Sequence, residues 1–122
     1  MSSSFPLSED EPPRTREALD ALVQRLDGLV VLFTEASCRV GSAIEPKLRA
    51  MLEAEFPRLQ LKVLQRDAAP ELAASLGVFA VPAVLVYFGG KESHRVVRAF
   101  SLEELASSMA RPYGLLFGED PA

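Results

Sequence analysis

Cys38 is the only cysteine among 122 residues, and its setting is that of a reactive thiol. It closely follows an apolar run, Leu29-Val-Val-Leu-Phe-Thr34, and precedes an amphipathic stretch from Arg39 to Phe56 with helical spacing. A strand that delivers a thiol to a helix N-terminus favours thiolate over thiol, because unpaired backbone N–H groups and the positive end of the helix dipole face the sulfur. A Cys-x-x-Cys pair would need its second sulfur three residues on, where the chain has Gly41. The chemistry open here is therefore that of one sulfur: attack on a disulfide to give a mixed disulfide, or oxidation to a sulfenic acid.

The other chemistry-bearing residues do not form a second constellation. Glu35 lies just before the thiol and could act as a base, although an exposed loop acid is the plainer reading. His94 is the only histidine, so with one cysteine the chain cannot assemble a zinc site by itself and no metal is expected. Glu9-Asp-Glu11 reads as a solvated acidic tail. A net charge of −4 without a basic run argues against a nucleic-acid partner. No stretch reaches the roughly 18 apolar residues of a membrane span, and the first residues carry no secretory signal pattern. A single unpaired cysteine suits a reducing compartment, so a cytoplasmic setting is expected.

The surrounding sequence supplies elements to position the thiol. At 48 % apolar and 25 % charged residues, the chain can build one proper core. Residues 1–14 read as a loose arm, 15–110 as the domain, and 111–122 as an extension packed on the domain or used in contacts. Thr15 caps a helix whose Leu19, Leu22, Val23 and Leu26 share one face, with Gly28 ending it. Leu29 to Thr34 is a strand buried on both faces. The helix after Cys38 carries Ile44, Leu48, Met51, Leu52 and Phe56 inward, with a kink at Pro46 and a stop at Pro57. Leu59, Leu61 and Val63 alternate as a second strand. Asp67 then caps a short helix that begins at Pro70 and ends at Gly77. Strands at 81–88 and 93–100 flank a tight Gly89-Gly90 turn, and a last helix runs from a Ser101 cap to a break at Pro112. The order predicts a mixed sheet between helices, in three α/β/α layers.

This order, with three local features, resembles the thioredoxin-like fold superfamily. Phe33-Thr-Glu-Ala-Ser-Cys38 with Pro46 eight residues on is similar to the family's active-site strand, cysteine and kinked helix. Gly77-Val-Phe-Ala-Val-Pro82 is similar to the segment leading to its cis-proline, and Phe88-Gly-Gly-Lys91 to its hairpin. The resemblance covers about residues 15–110 and implies a thioredoxin-like α/β fold with a cis bond at Pro82. It makes Cys38 the attacking cysteine, with Val81 and Pro82 lining the groove beside it.

Against that pattern the departures fall together. Gly41 replaces the resolving cysteine, and Ser37 the usual tryptophan before the attacking one. Leu32 stands where the family keeps a buried aspartate, and Val63 where it keeps the paired lysine. Arg98 stands at a position usually held by glycine, so with Arg39 it would place two guanidinium groups near Cys38. These could favour the thiolate and hold a carboxylate, or close the groove to peptides. The expected substrate-binding set is thus Val81, Pro82, Arg98, Arg39 and Ser37 around Cys38. The implied function is monothiol exchange, redox sensing or partner capture through Cys38, without a dithiol cycle. A partner protein or glutathione would engage Cys38, with glutathione at most a co-substrate and no resident cofactor. The alternative is a relic thiol in a non-catalytic or chaperone-like adaptor that uses the Pro82 groove or the apolar strip at 112–117. A monomer or weak dimer is expected.

Overall fold

Strand β1, Gly28–Thr34, lies inside the sheet and is buried along its whole length, as its unbroken apolar run requires. The computed structural model describes residues 12–36, 39–98 and 100–118. Around β1 the chain runs α1 (Arg16–Arg25), β1, α2 (Arg39–Glu55), β2 (Gln60–Gln65), α3 (Pro70–Ser75), β3 (Ala83–Phe88), β4 (Lys91–Val97) and α4 (Leu102–Phe117). The sheet order is β2-β1-β3-β4. β1 pairs parallel with β2 through the α2 crossover and antiparallel with β3, and β3 pairs antiparallel with β4.

Alternation along β1 sends its side chains into two cores. Leu29, Val31 and Phe33 meet Leu19, Leu22 and Val23 of α1 and Leu72 of α3. Val30 and Leu32 meet Leu48, Leu52 and Phe56 of α2 and Leu105 and Met109 of α4. The result is a three-layer α/β/α domain with a mixed four-stranded sheet.

Local signals set most of the ends. The Thr15 hydroxyl accepts from the Ala18 N–H at 3.1 Å, and Ser101 caps α4 by accepting from the Glu104 N–H at 3.0 Å. Gly89 and Gly90, at φ 60° and 86°, make the two-residue turn between β3 and β4. Gly77, at φ 72°, follows α3 in a Schellman arrangement: its N–H donates to Ala74 O, and that of Val78 to Ala73 O.

Several ends differ from the sequence reading. Asp67 does not cap α3, whose N-cap is Ala69 with no side-chain hydrogen bond. α1 ends at Leu26 in extended backbone, and Gly28 belongs to β1. Its role is close approach: a β-carbon there would sit 2.2 Å from Leu59 Cδ2 and 3.4 Å from the Phe117 ring. β3 and β4 are shorter than 81–88 and 93–100; β4 ends before Arg98, whose φ of 68° leaves the strand region. Among the described residues β2 is an edge strand, and Lys62 is buried there although alternation placed it outward. An inward-pointing lysine guards such an edge against pairing with another chain.

The largest difference is at Pro112. α4 does not break there but continues through Phe117. A proline inside a helix removes a hydrogen bond and costs roughly 3 kcal/mol, so the continuation needs packing to hold it. Tyr113 packs edge-on against Phe56 at 5.1 Å and tilted against Phe117 at 4.7 Å. The Arg58 N–H donates to the Tyr113 hydroxyl at 3.2 Å, and the Arg58 guanidinium lies 5.6 Å from the Phe117 ring. Residues 111–117 are thus one helix with the preceding turns, which crosses the boundary expected at 110.

Candidate functional site

The ends of β1 and β3 and the start of α2 frame the site. Cys38 and Ser37 lie outside the described residues, as do the side chains at 40 and 41. β1 ends at Thr34, and Arg39, exposed, is the first residue of α2. Phe33 pairs with Ala83 across the sheet, so the segment leading into β3 lies beside the end of β1. That segment contains Val81 and Pro82, whose peptide bond is cis. Pro82 is buried, while Val81 is half-buried against the α1/α3 core.

Arg98 joins this group through its backbone. Its N–H donates to the Pro82 carbonyl at 2.7 Å, while its side chain is exposed. It is the one non-glycine residue with positive φ among those described. The structure therefore brings Val81, Pro82 and Arg98 together, next to the end of β1.

Leu32 and Val63 are direct register partners across β1 and β2. Leu32 is fully buried, and Val63 packs half-buried in the same α2/α4 core. A buried carboxylate at 32 without a cation at 63 would be strongly destabilising, and two apolar residues avoid that.

Glu35 is not a free loop acid: it is ion-paired and hydrogen-bonded with Arg66. The pair rims a hollow of about 230 Å³ beside the end of β1, floored by Pro70, Ala73, Val78 and Phe79. Phe79, three residues before Pro82, is 74 % exposed. The sequence reading missed it, because Val-Phe-Ala-Val reads as core; only its place in a loop between Gly77 and Pro82 hints at exposure. Val97, next to Arg98, is also 40 % exposed. No group of His, Cys, Asp and Glu that could hold a metal occurs among the described residues.

A second polar cluster lies away from this site, around the end of α3. Arg16 donates to Ser75 O at 3.0 Å and Arg95 to Leu76 O at 2.9 Å, which satisfies carbonyls the helix leaves open. Glu92 accepts from Arg95 at 2.6 and 2.8 Å, and this hydrogen bonding holds its carboxyl below the ordinary value. The Tyr87 hydroxyl is buried beside them without a hydrogen-bond partner among the described residues. Burial, reinforced by Glu92, pushes its ionisation up to about 12.

The fold and the cis-proline beside the β1 end define a thioredoxin-fold protein, and comparison with known proteins agrees. No family model matches the chain. A thioredoxin-like protein of Bacillus subtilis strain 168, YdfQ, is 33 % identical over 89 residues, covering 73 % of this chain and 79 % of that protein. Mitochondrial thioredoxin 3 from Saccharomyces cerevisiae superposes with a TM-score of 0.72 at 18 % identity, over 81 % of this chain and 92 % of that one. Fasciola hepatica thioredoxin gives 0.69 at 25 % identity, over 80 % and 94 %. The chain belongs to the thioredoxin-like proteins. It does so with a single cysteine.

Proposed function

We propose that this protein acts through the single thiol of Cys38, in monothiol exchange, redox sensing or capture of a partner, in a cytoplasmic setting. The observation that carries the reading is the selective loss of one half of the family's site. The cis-Val81–Pro82 backing is present, whereas Gly41 replaces the second thiol and the paired positions 32 and 63 are both apolar. A site stripped of its resolving chemistry can still start an exchange. The Cys38 thiolate attacks one sulfur of a disulfide, a mixed disulfide forms, and the other sulfur leaves as a thiolate. Release then requires an external thiol, from glutathione or the partner protein, because no second thiol exists in the chain.

The test is incubation with glutathione disulfide followed by intact mass measurement. The expected result is one glutathionyl adduct that is absent in Cys38→Ser, with no catalysed protein disulfide reduction unless a monothiol is supplied. Turnover at the rate of a dithiol thioredoxin without added monothiol would refute the reading.

A second reading is a non-catalytic adaptor. It is favoured by Leu115 and Leu116 near the end of α4, which are 77 % and 41 % exposed. On that reading the apolar strip at 112–117 or the Pro82 groove would hold a partner, and Cys38 would be dispensable.

A further inference from the structure

The surface around the Pro82 segment combines a partly apolar hollow with a cation that has no ion-pair partner among the described residues. Phe79, Val78, Ala73 and Pro70, together with Glu35, Arg66 and Asp67 at its polar part, line the hollow of about 230 Å³, a volume that exceeds one aliphatic side chain. At Pro82 itself the Arg98 backbone is fixed by its N–H bond to the Pro82 carbonyl, with Val97 exposed next to it. Among the described residues neither Arg98 nor Arg39 has a carboxylate within ion-pair distance, whereas Arg66 is held by Glu35. Asp67 lines the hollow and is exposed, so the hollow side repels an acid and the Arg98 side attracts one. The whole chain is anionic at −4 and repels acidic partners at long range. Any preference for an acid must therefore arise from local cations such as Arg98.

We propose that the disulfide substrates of this protein are extended peptide segments with an apolar and an acidic side chain near the reacting cysteine, and that Arg98 selects the acid. The inference rests on the single-thiol reading above and names the partner chemistry of that same site. The hollow receives the apolar side chain, and Arg98 forms an ion pair with the carboxylate.

The test uses short cysteine peptides carried as mixed disulfides with thiopyridine, each with a leucine and with Glu, Gln or Lys near the cysteine. Cys38 attacks the peptide sulfur, a Cys38–peptide disulfide forms, and the sulfur–sulfur bond to thiopyridine breaks. The released thiopyridone carries the proton that Cys38 gives up and is read by its absorbance. The expected result at low salt is a second-order rate about fivefold higher for the Glu peptide than for the Gln peptide, and lowest for Lys, as suits one exposed ion pair. That preference should vanish in Arg98→Gly, persist in Arg98→Lys, and shrink as salt is raised. Equal rates for the three peptides, or an unchanged preference in Arg98→Gly, would overturn the role of Arg98 while leaving the single-thiol reading intact. Failure of Cys38 to react with any peptide in the folded protein would overturn both.

Discussion

Arg98 holds a backbone conformation that a β-carbon disfavours by about 1–2 kcal/mol, and it does so at φ 68°, bonded to Pro82. Arg98→Gly relieves that strain but frees the unfolded chain, which takes back about 0.5–1 kcal/mol. The net expectation is unchanged stability or a gain of up to about 1 kcal/mol, measured by urea unfolding. A clear loss would mean that the side chain holds the fold rather than serving a partner. Tyr87 is the other residue at odds with its surroundings, a buried hydroxyl without a partner among the described residues. Its ionisation is raised from 10.0 to about 12 in the folded protein. The neutral form is thus favoured by folding, so stability is intact below pH 10 and falls as pH climbs from 10 toward 12. Tyr87→Phe should flatten that decline, and at neutral pH it should be neutral or stabilising by about 1 kcal/mol, since it removes an unsatisfied polar group. Unfolding free energy followed from pH 7 to 11.5 checks both parts.

Among the elements, the contact between the start of β1 and the end of α4 depends on Gly28. A methyl group there meets Leu59, itself buried, and the Phe117 ring beyond it. Gly28→Ala should destabilise by about 1–3 kcal/mol, the usual range for an overpacked core; a change below about 0.5 kcal/mol in chemical denaturation would show that Leu59 yields freely. The alternation of Leu29–Thr34, the Thr15 and Ser101 caps and the paired glycines of the hairpin were legible because each depends on neighbours in sequence. The continuation of α4 past Pro112 was not, because the aromatic contact of Tyr113 with Phe56 comes from an element some sixty residues away. For the same reason the Glu35–Arg66 pair and the exposure of Phe79 were invisible. The apolar character of Leu32 and Val63 could be read from sequence, but their direct pairing is a property of strand register.

At the scale of the whole molecule the Pro82 groove and the apolar strip of α4 lie at opposite ends of β1. Phe33 pairs with Ala83, next to Pro82, while Gly28 lies against Phe117, close to Leu115 and Leu116. Seven strand residues separate these ends, roughly 20 Å, so changes at one leave the other untouched. The thiol reading is the central one, and the pH dependence of Cys38 alkylation in the folded protein tests it most directly. The expected alkylation midpoint lies clearly below the value of about 8.5 for a free cysteine, with reactivity lost in Cys38→Ser. A midpoint at or above that of a free cysteine would contradict it and leave the adaptor reading in its place.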